Sequence, residues 1–236
     1  MRDDDMDLKT IRKYIADIFL PNRCPACSRL IPWNKLICDK CKSSLQPVTG
    51  EPCDDLTRRS FDSCFSLFYY EQPCIKAVYA LKHDKAVNFA EYGAQLLCSK
   101  LKKSGLADKA DIVTCVPMSR KKLRKRKYNQ AEMIAKYLAD QLGKPLDASL
   151  LVHSPTLTEH HKLSKGERAL DAQKSYAASA SHGDITGKNV ILCDDVYTTG
   201  ATMDACARCL KDMGANSVIA VSIAAARLTE RHYEDS

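Results

Sequence analysis

Two acidic residues in a row, Asp194 and Asp195, are followed within seven positions by Thr198, Thr199, Gly200 and Thr202. The apolar run before them, Val190–Cys193, reads as a strand. Ala201–Met213 after them reads as a helix closed by Gly214. A loop that opens a helix offers backbone N–H groups without carbonyl partners and a positive dipole end, and both suit a phosphate. Gly200 lets the backbone approach such a group, the three threonines add hydroxyl donors, and Val196 and Ala201 complete the run. The loop holds no lysine, which separates it from a Walker-type nucleotide loop. Two carboxylates at the strand end can accept hydrogen bonds from two adjacent hydroxyls. A phosphate cradle beside a diol clamp fits ribose 5-phosphate, and the carboxyl end of a strand in an open sheet is where such ligands bind. Helix capping alone would need one polar residue, not this whole run.

A second concentration of charge follows Val116-Pro117. Of the eight residues Arg120, Lys121, Lys122, Leu123, Arg124, Lys125, Arg126 and Lys127, seven are basic. The run reads as a loop between a strand at Ile112–Val116 and a helix starting near Asn129, again at a strand's carboxyl end. A diphosphate carries several negative charges, and clustered Arg and Lys hold it directly. The same field suits a nucleic-acid backbone. Arg124 and Arg126 are assigned to diphosphate. Arg120, Lys121, Lys122, Lys125 and Lys127 are candidate DNA contacts.

The third pattern is Cys24-x2-Cys27, ten residues, then Cys38-x2-Cys41. Each short pair can place two thiolates on one tetrahedral centre, and four sulfur ligands with no open position make a structural Zn²⁺ site. So short a segment cannot fold on its own core, so metal would supply its folding energy. Cys206 and Cys209 form another CxxC, but within a helix and without a matching pair; they read as small packed residues.

Around these groups the chain organises as follows. Leu8, Ile11, Tyr14, Ile15 and Ile18 repeat at helical spacing, so 1–20 reads as a lead-in helix, followed by the zinc module at 21–47 and a polar linker at 48–60. From residue 61 to 236 strands (Cys64–Tyr70, Ile112–Val116, Val190–Cys193, Ser217–Ala224) alternate with helices (Ile75–Lys82, Phe89–Leu101, Ala131–Leu142, Ala201–Met213). That order implies an α/β fold, a mostly parallel sheet with helices on both faces. Residues 153–176 are polar and lack a clear period. With 236 residues, 45% hydrophobic, the chain can bury one medium domain and a small appendage. No apolar run reaches membrane-spanning length, so no membrane insertion is expected. The acidic start, MRDDDMD, does not look like an export signal, so the expected location is cytoplasmic.

The loop Val190–Thr202 resembles the phosphoribosyl-pyrophosphate loop of type I phosphoribosyltransferases. The stretch Val116–Ala135 is similar to the ComF family of bacterial competence proteins, which join a four-cysteine zinc module to a phosphoribosyltransferase domain. Where that family has Arg-Gly-Phe-Asn-Gln-Ala, this chain has Arg126-Lys127-Tyr128-Asn129-Gln130-Ala131. Lys127 replaces the glycine and reduces backbone freedom there. Tyr69-Tyr70, Leu81-Lys82 and Leu163–Arg168 match further pieces. In the last of these regions the family tends to have Gln, Arg and Asn, where this chain has His160, Arg168 and Asp171.

The resemblance implies several roles. Phosphoribosyl pyrophosphate is the ligand, with Mg²⁺, and Lys82 belongs to its site. Asp194 and Asp195 would be catalytic if turnover is retained, steadying the ribose as diphosphate leaves. Arg168 would lie on a flap over the site. The implied biological role is DNA uptake and natural transformation, handling incoming single-stranded DNA, with a DNA-uptake helicase or channel as partner. Two alternatives stand beside it. One is an active phosphoribosyltransferase, amidophosphoribosyltransferase-like, with an unknown acceptor. The other is a ligand-sensing DNA-binding regulator.

Overall fold

Val190–Cys193 carries no polar side chain, and a strand buried on both faces needs such a run. In the computed structural model, which describes residues 21–50, 52–53, 55–153, 175–180 and 183–227, it lies inside β5 (Asn189–Tyr197). On one side β5 pairs in parallel with β6 (Ser217–Ala225), and on the other with β2 (Ile112–Cys115). β1 (Ser63–Tyr69) pairs in parallel with the far edge of β6, giving the order β1-β6-β5-β2. Ser222, the polar residue within β6, is buried opposite Ser66 of β1, and the two hydroxyls hydrogen-bond at 2.6 Å.

Helices fill the connections. α1 (Asp39–Ser44) belongs to the cysteine-rich segment; α2 (Cys74–His83), α3 (Val87–Lys103) and the short α4 (Leu106–Lys109) join β1 to β2. After β2 come α5 (Arg120–Arg126) and α6 (Gln130–Leu142), whose Asn129 cap accepts a hydrogen bond from the Ala131 amide at 3.1 Å. α7 (Ala201–Asp212) joins β5 to β6. α3 and α6 pack on each other and on the sheet, while α7 packs on β5 and β6 with an antiparallel hairpin, β3 (Leu151–His153) and β4 (Tyr176–Ala178). The sheet is thus covered on both faces, as the alternating sequence pattern requires.

Three differences from the sequence reading have physical causes. β5 continues past Cys193 to Tyr197 because β6 pairs with it there (Val196↔Ala224, Tyr197↔Ala225), so the acidic pair lies in the strand. The basic run Arg120–Arg126 is a helix rather than a loop, with Ser119 as its cap. The stretch 48–60 is anchored: the Val48 amide donates to the Leu67 carbonyl at 2.9 Å, and Cys53 is buried. The expected lead-in helix at 1–20 and the flap residues His160, Arg168 and Asp171 lie outside the described residues. No helix among the described residues is long and apolar enough to cross a membrane.

Candidate functional site

Strand alternation sends neighbouring side chains to opposite faces, and the acidic pair follows it. Asp195 points toward α2 and α6. Its Oδ2 lies 2.9 Å from Lys82 Nζ and accepts from Gln130 Nε2 at 3.4 Å. Asp194 points the other way, near Cys206 of α7 and Tyr176 of β4. Its Oδ1 accepts from the Asp195 amide at 2.8 Å. Burial pushes the Asp194 carboxyl up to about 8, the charge of Asp195 adds to this, and Lys82 pulls against it. The pair therefore combines a carboxylate neutralised by a lysine with a carboxyl that holds its proton near neutral pH. Together they can accept and donate hydrogen bonds to hydroxyl groups.

Past the pair the chain turns sharply. Thr198 and Thr199 are exposed, Gly200 adopts φ +77°, and α7 begins at Ala201. Val196, Ala201 and Thr202 are half-buried at the margins of the turn. A Cβ on Gly200 would sit 2.7 Å from Cζ of the Tyr197 ring. That ring is itself held edge-on by Phe61, with centroids 6.4 Å apart. Both the left-handed backbone and the close ring require glycine here. Gly200→Ala is expected to cost about 2–3 kcal/mol, of which roughly 1–2 is backbone conformation. Urea denaturation measures this, and a loss below about 0.5 kcal/mol would mean that neither constraint operates.

The loop's outer side is tied to a segment far away in sequence. Arg59 Nη2 donates to the Thr199 carbonyl at 2.9 Å, and the Ser60 amide donates to Asp204 Oδ1 at 2.6 Å. Its inner side carries the first-turn amides of α7, which lack carbonyl partners within the helix. The arrangement can cradle a phosphate beside the carboxyl pair.

The basic residues occupy a helix beyond the carboxyl end of β2. Arg120, Lys121, Lys122, Arg124 and Lys125 are exposed on α5, Arg126 is half-buried and Lys127 caps its end. Among the described residues, none of them makes a hydrogen bond or ion pair with residues 194–202. Tyr128 fixes the helix instead: its hydroxyl donates to the Leu81 carbonyl at 2.5 Å and accepts from the Lys85 amide at 3.1 Å. The next residue along α2 from Leu81 is Lys82, so the basic helix and the carboxyl pair share an anchor. At the other side of α5, Lys122 lies close enough to His153 to add to the effect of burial in lowering the pKa of that imidazole. Lys127 has φ +69°, and its amide closes the helix on Leu123 at 2.7 Å. A glycine would adopt this conformation without a Cβ penalty. Lys127→Gly is expected to stabilise the fold by about 0.5–1 kcal/mol, read as a rise in the urea midpoint at constant slope.

At the other end of the chain the sulfurs of Cys24, Cys27, Cys38 and Cys41 all lie within 4.8 Å of one another. Cys27 and Cys38 are 3.7 Å apart. Tetrahedral Zn–S bonds of about 2.3 Å put sulfurs roughly 3.8 Å apart, so the four fit one zinc ion. Cys38 caps α1 and accepts from the Cys41 amide at 3.4 Å, which pulls its thiol down to about 7, whereas burial pushes the thiols of Cys24 and Cys41 up, so it is the metal's charge that would favour thiolates there. Cys206 and Cys209 do not join such a cluster among the described residues. Cys206 is buried in the core and Cys209 donates to the Tyr176 carbonyl at 3.4 Å.

Sequence reasoning brought Lys82, Asp194, Asp195 and the loop to one place, and the structure joins them. It missed three residues. Gln130 was in plain view in the Asn129-Gln130-Ala131 run, and Tyr128 stood beside it. Arg59, 140 positions from its partner, had no local signal.

Comparison with known proteins finds matches to both parts of the chain. Residues 129–235 match the phosphoribosyl transferase domain model, and residues 15–75 match the double zinc ribbon domain model. Over 202 residues the chain is 25% identical to the DNA utilization protein YhgH of Salmonella typhimurium, a match covering 83% of this chain and 86% of that one. In both its parts, the zinc ribbon and the phosphoribosyltransferase domain, the chain is similar to the ComF family. Another relative in this ComF group is the competence protein ComFC of Bacillus subtilis, 32% identical over 108 residues; that match covers 45% of this chain and 41% of the relative. Among solved structures, an adenine phosphoribosyltransferase aligns over 68% of this chain and 81% of that one, at 15% identity and a TM-score of 0.41.

Proposed function

We propose that this chain binds phosphoribosyl pyrophosphate with Mg²⁺ at the carboxyl edge of β2 and β5, and acts in DNA uptake by handling single-stranded DNA in the cytoplasm. The observation that carries the ligand reading is the convergence, at one strand end, of the Gly200 turn, the Asp194–Asp195 pair and Lys82 on Asp195. Val196 and Thr198 to Thr202 take the 5′-phosphate, and Asp194 and Asp195 take the ribose hydroxyls. Lys82, Arg124 and Arg126 face the diphosphate. Mg²⁺ binds substrate phosphates readily, and here it would neutralise the diphosphate together with Lys82, Arg124 and Arg126.

The zinc-held module, 21–47, is joined through 48–60 to the ligand domain that starts at residue 61. The DNA role rests on the relatives, one a competence protein and one a DNA utilization protein, and on the exposed charge of α5. Arg120, Lys121, Lys122, Lys125 and Lys127 are the backbone contacts it requires.

Thermal melting with phosphoribosyl pyrophosphate and Mg²⁺ tests the first half. At a hundred times its dissociation constant a native-state ligand adds about 2.7 kcal/mol, or roughly 5–10 °C here. An unchanged melting temperature removes the ligand assignment. Titration of a fluorescent single-stranded oligonucleotide at increasing salt tests the second half. The expected affinity falls with salt at a log–log slope of about −0.7 per neutralised phosphate, and replacing Arg120, Lys121 and Lys125 with glutamine flattens it. A slope that those substitutions leave intact removes α5 from DNA binding.

A further inference from the structure

The stretch that the sequence presents as a polar linker packs against the phosphate loop. Four of its residues, Cys53, Arg59, Ser60 and Phe61, meet the segment 197–204. The Cys53 thiol is buried beside both the Tyr197 hydroxyl and the Arg59 guanidinium. Arg59 donates to the Thr199 carbonyl, the Ser60 amide to Asp204, and the Phe61 ring abuts the Tyr197 ring. A short 3₁₀ turn at Leu56–Arg58 shapes the stretch, capped by Asp55, whose carboxylate accepts from the Thr57 amide at 3.0 Å and pairs with Arg58 at 3.2 Å.

We propose that this strap is a positioning device for the phosphate loop and that Arg59 is its positioning residue. This rests on the reading of the loop as a ribose 5-phosphate site. A trans peptide is planar, and its C=O and N–H point to opposite sides. The peptide between Thr199 and Gly200 therefore has only one way to satisfy Arg59. With the Thr199 carbonyl turned out onto the guanidinium, the Gly200 N–H is turned in, toward the mouth of α7. There it finds no acceptor among the described residues, so it is held ready for a ligand oxygen. Glycine at φ +77° is the residue in which this peptide could otherwise rotate most freely, which gives the external clamp something to do. The hydrogen bond is charge-assisted, and so is stronger than one between neutral groups. It also places a permanent positive charge behind the cradle. The strap begins five residues after Val48, whose amide is fixed on β1, so the clamp is anchored to the domain at its start.

Arg59 thus acts on the phosphate end of the ligand and leaves the diphosphate end alone. The test uses the full zinc-loaded chain, with wild type, Arg59→Ala and Arg59→Lys titrated calorimetrically with phosphoribosyl pyrophosphate, ribose 5-phosphate and inorganic pyrophosphate in Mg²⁺. The expected result is ribose 5-phosphate binding on the order of tenfold weaker in Arg59→Ala, unchanged pyrophosphate binding, and partial recovery in Arg59→Lys, which keeps the charge and one donor. Amide NMR adds an independent reading: ribose 5-phosphate shifts the Gly200 resonance in wild type and leaves it nearly unmoved in Arg59→Ala. Wild-type affinity for ribose 5-phosphate in Arg59→Ala overturns the proposal, and so does equal weakening of both ligands. If Arg59→Ala does not fold, Arg59→Lys carries the same comparison, and a Lys variant no different from wild type in affinity and in the Gly200 shift overturns it. Failure of wild type to bind any of the sugar phosphates overturns the site reading itself, a different outcome from wild-type binding that is indifferent to Arg59.

Discussion

Replacing Cys41 with serine is expected to lower the melting temperature by about 10 °C or more and to remove bound zinc. Structural zinc contributes roughly 10–16 kcal/mol of apparent folding energy in small zinc modules, and a lost thiolate forfeits a large part of it. For a chain of this size each kcal/mol moves the melting temperature by about 2–4 °C. The loss would not stay local, because Cys24, Ile31, Ile37 and Cys41 belong to the same continuous buried cluster as the β-sheet. Calorimetry with metal analysis measures both effects. Cys209→Ser is the control: it is half-buried, outside the four-sulfur group, and donates to the Tyr176 carbonyl. It is expected to change stability by no more than about 1 kcal/mol. Equal losses in the two variants, or full zinc content in Cys41→Ser, would contradict the metal site.

The second large effect concerns Asp194. Its carboxyl is raised to about 8 in the folded state by burial and by the charge of Asp195. In the unfolded chain it titrates near the ordinary aspartate value of about 3.9. The folded state therefore binds more protons across this interval, and stability falls as pH rises. The contribution is fully present below about pH 4 and is lost progressively up to about pH 8. Near pH 7 the accumulated loss is on the order of 4 kcal/mol at roughly 1.4 kcal/mol per unit, and part of it is offset by imperfect fit in any variant. Asp194→Asn removes the titration while its side-chain carbonyl can still accept from the Asp195 amide. The variant is expected to be the more stable by about 3 kcal/mol at pH 7, with the difference shrinking toward zero near pH 4. Urea unfolding of both proteins at several pH values checks this. A difference that does not change with pH would mean that Asp194 is ionised at neutral pH in the free protein. The gain in stability should be accompanied by weaker binding of phosphoribosyl pyrophosphate, since the proposed ligand site uses this carboxyl. A residue that destabilises its own fold and is retained for ligand binding is a common arrangement at functional sites.

The parts of this molecule that were legible in the sequence are those whose signal is local. The zinc knuckles lie within eighteen residues, and spacing alone groups their four sulfurs. The strand Val190–Cys193 and the helix after Gly200 announce themselves by an apolar run and a helical period. What was not legible depends on partners distant in sequence. β5 reaches Tyr197 only because β6 lies beside it. The hairpin strands β3 and β4 have three residues each, with the apolar Val152 exposed, too short for a period to show. α5 was hidden by its own charge: with seven basic residues in eight, polarity has no period, and only Ser119 and the left-handed Lys127 mark its ends. Arg59 belongs to a stretch whose composition says linker, and its role appears only when the chain returns to β5.

The opposed orientation of Asp194 and Asp195 also refines the diol clamp. The two carboxyl groups remain close enough to interact, while Asp195 also meets Lys82 and Gln130 and Asp194 lies near Cys206 and Tyr176. One is paired with Lys82 and burial favours the protonated form of the other, so a ribose bound as proposed would meet an acceptor and a donor there.

A crystal structure of the protein with phosphoribosyl pyrophosphate and Mg²⁺ tests the central claim most directly. The 5′-phosphate is expected against the backbone amides of Thr199 to Thr202, the ribose hydroxyls at Asp194 and Asp195, and the diphosphate directed toward Lys82, Arg124 and Arg126. A ligand bound elsewhere, or a Gly200 turn left empty at saturating ligand, would contradict it.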